Sequence, residues 1–192
     1  MAKKESTFLN MVVTLFVITL AAATALGFVY EATKGPIADA KMKQKSEAIK
    51  KVVPEYNNSP LDTKKLVDID GGQVIVYEAK MDSVIEGYAV ESFTNKGFGG
   101  TVKIMVGFTP DGSVYDISVL EHKETPGLGD KMEAQKSSFS SQFKGKNLSA
   151  FTLKVKKDGG DVDAITAATI SSRAFCDALN RAYKVFKNEL IK

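Results

Sequence analysis

VIEGYAVESFTNKGFGGTVKIMVGFTPDGSVYDISVLE, residues Val84 to Glu121, is the stretch from which the fold is read. Three segments rich in Val, Ile, Phe and Tyr, namely Val84–Thr94, Thr101–Thr109 and Ser113–Glu121, are separated by turn-forming residues. The first turn is Asn95–Gly100 (NKGFGG) and the second is Asp111–Gly112. Val114, Ile117 and Val119 among polar neighbours give the third segment the pattern of a half-exposed strand. Connections this short join antiparallel strands. Upstream, Gln73–Ala79 (QVIVYEA) adds a strand behind the turn Asp70–Gly72, and Asn57–Pro60 forms an earlier turn. Downstream, Asp130–Phe143 reads as a short helix, Thr152–Lys156 (TLKVK) as a strand and Ile170–Leu190 as the longest helix of the domain. In that helix Ile170, Ala174, Ala178, Ala182 and Phe186 recur every four residues, while Arg173, Asp177, Arg181 and Lys184 fall on another side. The apolar stripe is expected to pack on the sheet. The expected fold class is therefore α+β, a single domain with an antiparallel sheet flanked by helices.

The beginning of the chain has a different character. No charged residue occurs from Ser6 to Tyr30, and Phe8–Tyr30 (FLNMVVTLFVITLAAATALGFVY) is long enough to cross a bilayer of roughly 30 Å. A cleaved signal peptide would carry a shorter apolar region. Lys3 and Lys4 precede the span and Glu31 is the first charge after it, which predicts a cytoplasmic N-terminus and an extracytoplasmic remainder. Asn10, Thr14, Thr19 and Thr24, with the small residues Ala21–Ala25, suit either packing against another membrane helix or simple lipid-facing anchoring. Gly35 and Pro36 punctuate the exit, and Ile37–Val53 reads as a separate helix stopped by Pro54. The expected organisation is a cytoplasmic N-terminus at 1–7, a transmembrane helix at 8–30, a stalk at 31–60 and an extracytoplasmic domain at 61–192.

Composition narrows the chemistry. Of 192 residues 44% are hydrophobic and 26% charged, which excludes a disordered tail. The 26 basic and 23 acidic residues are interspersed, so no nucleic-acid footprint is present. One cysteine, Cys176, and one histidine, His122, cannot supply a zinc or iron–sulfur site from this chain alone. Cys176 is read as a buried small hydrophobe and His122 as a solvent-facing or hydrogen-bonding residue. Redox chemistry would need a borrowed cofactor.

Two segments remain. Asp161–Arg173 (DVDAITAATISSR) is a small-residue loop leading into a helix whose start is dense in hydroxyls: Thr166, Thr169, Ser171 and Ser172. A helix N-terminus offers free N–H groups and the positive end of the dipole to a phosphate. Ordinary capping by Thr169 or Ser171 accounts for the same pattern. Glu124–Gly129 (ETPGLG) follows a strand and reads as a tight loop that a flat ligand can approach, or as a plain turn.

Together these segments resemble the FMN-binding domain family, whose members include the G subunit of the Rnf electron-transport complex and the C subunit of the sodium-pumping NADH:quinone oxidoreductase. The flavinylation motif of that family appears here as Asp163, Ala164, Ile165, Thr166, Ala167, Ala168, Thr169, Ile170 and Ser171. A basic N-terminus, one span, NKGFGG with TVKIMVGFTPDG, HKETPGLGDK and the threonine motif occur in the family's order over nearly the whole chain. The resemblance implies covalent FMN, joined by a phosphoester to Thr169 and installed by a separate flavin transferase. It further implies cofactor contacts at Glu124, Thr125, Pro126, Gly127, Leu128, Gly129, Lys131, Asp163, Thr166, Ala167, Ala168, Ile170 and Ser171. One departure stands out: Ala167 replaces the family's glycine, which is costly if that backbone needs positive φ.

The chain's short length resembles the Rnf member of the family more than its longer counterpart. The implied role is a membrane-anchored electron relay with no catalytic acid or base. It would work in a complex that couples electron transfer between ferredoxin and NAD to sodium or proton translocation. Implied partners are other membrane subunits, one carrying a second covalent flavin, and iron–sulfur subunits. A flavin relay of the quinone-oxidoreductase type and a flavin-free membrane-anchored scaffold are the alternatives.

Overall fold

The computed structural model describes residues 7–69 and 71–190; the expectations for Lys3, Lys4 and Asp70 lie outside the described residues. The chain divides into two units, residues 1–43 and 44–192. In the first unit the described residues form helix α1 (Phe8–Val52), which runs on into the second unit. The Thr7 hydroxyl accepts the Asn10 N–H at 3.4 Å at the start of the helix. The helix is long and apolar enough to cross a membrane, and none of its apolar window is buried against protein. Thr19 and Thr24 donate to the carbonyls of Leu15 and Leu20 at 2.9 and 2.8 Å, so these hydroxyls are satisfied by their own helix. The break expected at Gly35 and Pro36 does not occur. Pro36 removes one backbone hydrogen bond, but the Ala, Lys, Gln, Met and Glu residues on either side are strong helix formers and carry the helix through.

In the second unit five strands follow one another in chain order: β1 (Lys65–Ile69), β2 (Gly72–Met81), β3 (Val84–Gly97), β4 (Gly100–Phe108) and β5 (Val114–Glu121). Each pairs antiparallel with the next. The domain is α+β, as expected. β1 is the strand the sequence pattern did not announce: a short edge strand, half-exposed, paired only with β2.

Both faces of the sheet are covered. Helix α2 (Thr169–Val185) lies on one face, where Val74, Val76, Val90, Ile104, Val106 and Phe108 meet Phe175, Leu179 and Phe186. On the other face the last turns of α1 place Ala48, Ile49 and Val52 against Tyr77, Ala79, Ala89 and Met105. The Tyr77 hydroxyl donates to Glu91 at 3.0 Å and Lys45 pairs with the same carboxylate oxygen at 2.9 Å. Burial, reinforced by the neighbouring Glu91 charge, raises the Tyr77 phenol above its usual range. Polar threads stitch α2 to β3: Ser92 donates to the Ala178 carbonyl at 2.8 Å, and Thr94 to Asp177 at 2.7 Å.

Four local expectations are corrected. Residues 130–143 form two single 3₁₀ turns, Gly129–Met132 and Ser140–Phe143, not one helix. The Ser137 hydroxyl donates to the Lys131 carbonyl and accepts the Phe139 N–H, diverting both groups from a helical ladder. Residues 152–156 are not a strand; one bridge joins Val155 to Val162, and Asp161 takes the Thr152 N–H at 2.7 Å. α2 ends at Val185, and Phe186–Leu190 follows as a π turn with Phe186 stacked on Phe108 at 4.7 Å. Ile170 leaves the apolar stripe and is 48% exposed, while Ser171 and Ser172 are buried in its place.

Candidate functional site

Three segments converge at the N-terminal end of α2: the β3–β4 hairpin tip, the loop 124–129 and residues 167–171. They line a pocket of ≈ 330 Å³ formed by Phe98, Glu124, Thr125, Leu128, Gly129 and Ala167 to Ser171. Three large apolar side chains stand at its rim, with Phe98 68%, Ile170 48% and Leu128 40% exposed. Exposed apolar groups around a concave site suit a flat ring.

The start of α2 carries no side-chain cap; the N-cap is Ala168. Ser172 is spent internally, its hydroxyl accepting the Ile165 N–H at 2.9 Å and donating to the Ala168 carbonyl at 3.0 Å. The Ser171 hydroxyl donates to Glu124. Among the described residues the half-buried Thr169 hydroxyl has no such partner, and it opens on the pocket at the positive end of the helix dipole. Ala167 has φ +60°, the left-handed conformation that makes an alanine costly where a glycine would be free.

Glu124 is buried, 5% exposed, beneath this pocket. One carboxylate oxygen accepts the Gly99 N–H at 3.0 Å and the other the Ser171 hydroxyl. Its own N–H donates to His122 Nδ1 at 3.1 Å, which leaves the ring proton on Nε2, 2.6 Å from Glu133. The His122 hydrogen bond, with Lys136 adding to it, holds the Glu133 carboxyl below its usual range. Cys176 is 3% exposed and burial pushes its thiol up to about 12, as suits a packing residue.

Five residues anticipated as cofactor contacts do not line the pocket: Pro126, Gly127, Lys131, Asp163 and Thr166. The Asp163 side chain is 72% exposed and pairs with Lys156 at 2.6 Å. The Gln142 side chain holds the Asp163 backbone N–H and carbonyl at 2.8 and 3.1 Å, steadying the loop into α2. Thr166 is exposed, and the Lys131 carbonyl is occupied by Ser137. Phe98 is the lining residue that sequence reasoning missed; a lone aromatic between the glycines of NKGFGG was the available signal. No cluster of three or more His, Cys, Asp or Glu able to hold a metal occurs among the described residues.

Residues 97–184, which include all three pocket segments, match the model of the FMN-binding domain. Similarity extends to whole proteins. The G subunit of the ion-translocating oxidoreductase complex of Aliivibrio fischeri is 34% identical over 203 residues, covering 95% of this chain and 92% of that protein. The chain belongs to the family of G subunits of ion-translocating oxidoreductase complexes. The G subunit of Cereibacter sphaeroides is 34% identical over 174 residues, covering 88% of this chain and 79% of that protein. The Escherichia coli G subunit is 37% identical over 158 residues, covering 78% and 77%. The stretch that matches the FMN-binding domain, 88 of the 192 residues, thus contains the pocket.

Proposed function

We propose that this chain is a membrane-anchored electron relay carrying FMN through a phosphoester on Thr169, within an ion-translocating oxidoreductase of the Rnf type. The observation that carries this reading is the free Thr169 hydroxyl at an uncapped helix N-terminus, facing a pocket with an apolar rim. The residues present fit the group. The unshared N–H groups of the first turn of α2 suit a phosphate next to Thr169, and Phe98, Leu128 and Ile170 offer apolar surface to a ring. One- and two-electron exchange is the chemistry that FMN supplies when bound. Thr169 holds, the helix end neutralises charge, and the rim excludes water; no side chain acts as acid or base.

In this reading electrons pass between ferredoxin and NAD, coupled to sodium or proton translocation. Neighbouring membrane subunits supply a second flavin and iron–sulfur centres, and a flavin transferase installs the FMN. α1 anchors the chain with its N-terminus in the cytoplasm and the flavin domain outside the cytoplasmic membrane.

Co-production with a flavin transferase and ultraviolet imaging of the denatured protein on a gel tests the attachment. The wild type is expected to fluoresce, Thr169→Ala to be dark and Thr166→Ala to stay bright. A dark wild type beside a fluorescent control substrate overturns the proposal. Orientation is read by adding protease to sealed inverted membrane vesicles: the fluorescent domain should survive, and its digestion would place it on the cytoplasmic side.

A further inference from the structure

We infer that Glu124 is a positioning residue, a buried clamp that holds the two walls of the pocket together so that the attached ring is seated and does not swing on its tether. The inference rests on the attachment at Thr169 proposed above. The geometry is specific. Phe98 stands on the hairpin tip, and Thr169 and Ile170 stand on the first turn of α2, across the pocket. Glu124 bonds to both walls, to the Gly99 N–H next to Phe98 at 3.0 Å and to Ser171 in the first turn of α2.

The chain is shaped around this carboxylate. A Cβ at Gly99 would run into the Lys123 carbonyl, and a Cβ at Gly129 would lie 2.5 Å from Ser171 Oγ and 2.6 Å from Glu124 Oε2. Gly129, in the loop that reads in the sequence as a ligand approach, therefore makes room for the clamp, and Gly99, in the NKGFGG turn, lets the hairpin tip lie against the backbone that carries it. Glu124 has no cationic partner among the described residues; its two carboxyl oxygens are met by the Gly99 N–H and the Ser171 hydroxyl, both neutral groups. A buried polar group satisfied in this way is held only while both donors are aimed at it, so the Glu124 side chain and the walls fix one another.

The test compares the full-length protein in detergent as wild type, Glu124→Gln and Glu124→Ala, each co-produced with flavin transferase. Gln keeps both ties, its carbonyl accepting the Gly99 N–H and its amide donating to Ser171 Oγ, whereas Ala keeps neither. The flavin fluorescence anisotropy of the native protein should be unchanged in Glu124→Gln and fall by half or more in Glu124→Ala at equal covalent loading. In protein made without transferase, exchange of the Gly99 amide should quicken at least tenfold in Glu124→Ala and stay near wild type in Glu124→Gln. Wild-type anisotropy or unchanged Gly99 exchange in Glu124→Ala overturns the clamp. A wild type that takes no flavin overturns the Thr169 reading instead, and the exchange measurement still decides the clamp. Should Glu124→Ala not fold, Ser171→Ala, which removes the helix tie alone, must loosen the ring; a ring held as in wild type overturns the inference.

Discussion

Ala167 shows how a single backbone angle carries information that composition does not. Its φ of +60° lies in the region that glycine enters freely and alanine enters at a cost of about 1–2 kcal/mol. The motif stretch therefore keeps a glycine conformation with an alanine in it, directly before the N-cap of α2. Ala167→Gly relieves the strain and gives back part of the gain as chain entropy, so a net stabilisation of about 1 kcal/mol is expected. Differential scanning calorimetry should show the melting temperature rising by about 2–4 °C, and a lower value would refute the strain argument. The hydroxyls illustrate the limits of reading side chains from sequence. Thr169, Ser171 and Ser172 look equivalent in TISSR, yet two of them are consumed by partners at Glu124, Ile165 and Ala168. The decisive partner of Ser171 lies 47 positions away in the chain, out of reach of any local pattern.

At the level of elements, the hairpins were legible because their turns are written in glycine and aspartate, and β2 to β5 lie where the alternating segments put them. Besides the helix break expected at Gly35–Pro36, the unannounced β1 and the two ends of α2, the misjudged segments lie between the sheet and α2. There, side chains of Ser137, Asp161 and Gln142 satisfy the backbone in place of a ladder, and periodicity has nothing to report. What fixes the start of α2 is an aromatic cluster beneath it. Phe175 stacks on Phe143 at 5.4 Å and meets Phe139 edge-on at 5.2 Å, and all three are buried. Phe175→Ala should cost about 3–5 kcal/mol. The expected readout is a fall in melting temperature on the order of 10 °C, with loss of flavin loading when cells are grown warm. A variant that melts like the wild type would mean that α2 is held chiefly by its polar links to β3.

Across the whole domain, the contacts at Asp177, Asp158 and Glu133 bear on acid stability in the same direction. Burial pushes Asp177 up, but hydrogen bonds from Lys96, Thr94 and Arg181 outweigh it and leave the carboxyl below its usual value. Arg173 lowers Asp158, and His122 lowers Glu133. A carboxyl whose folded pKa is depressed contributes stability that is complete above its unfolded value, 3.8 for Asp and 4.5 for Glu, and is lost as pH falls through the lower folded value. Urea midpoints should therefore be flat from neutral pH down to about 5 and drop steeply below about 4. Equal midpoints at pH 7 and pH 3.5 would show that these contacts are too solvent-screened to matter.

The meander of the sheet also sets a timetable. Every strand pairs with its neighbour in the chain, so the five can join one after another as the polypeptide emerges, each needing only a short closure. α2 follows all of them, and it brings Thr169 and the partner of Glu124 with it. The two walls of the pocket, one on the β3–β4 hairpin and one on α2, are thus joined only when the last helix of the domain has docked on the sheet.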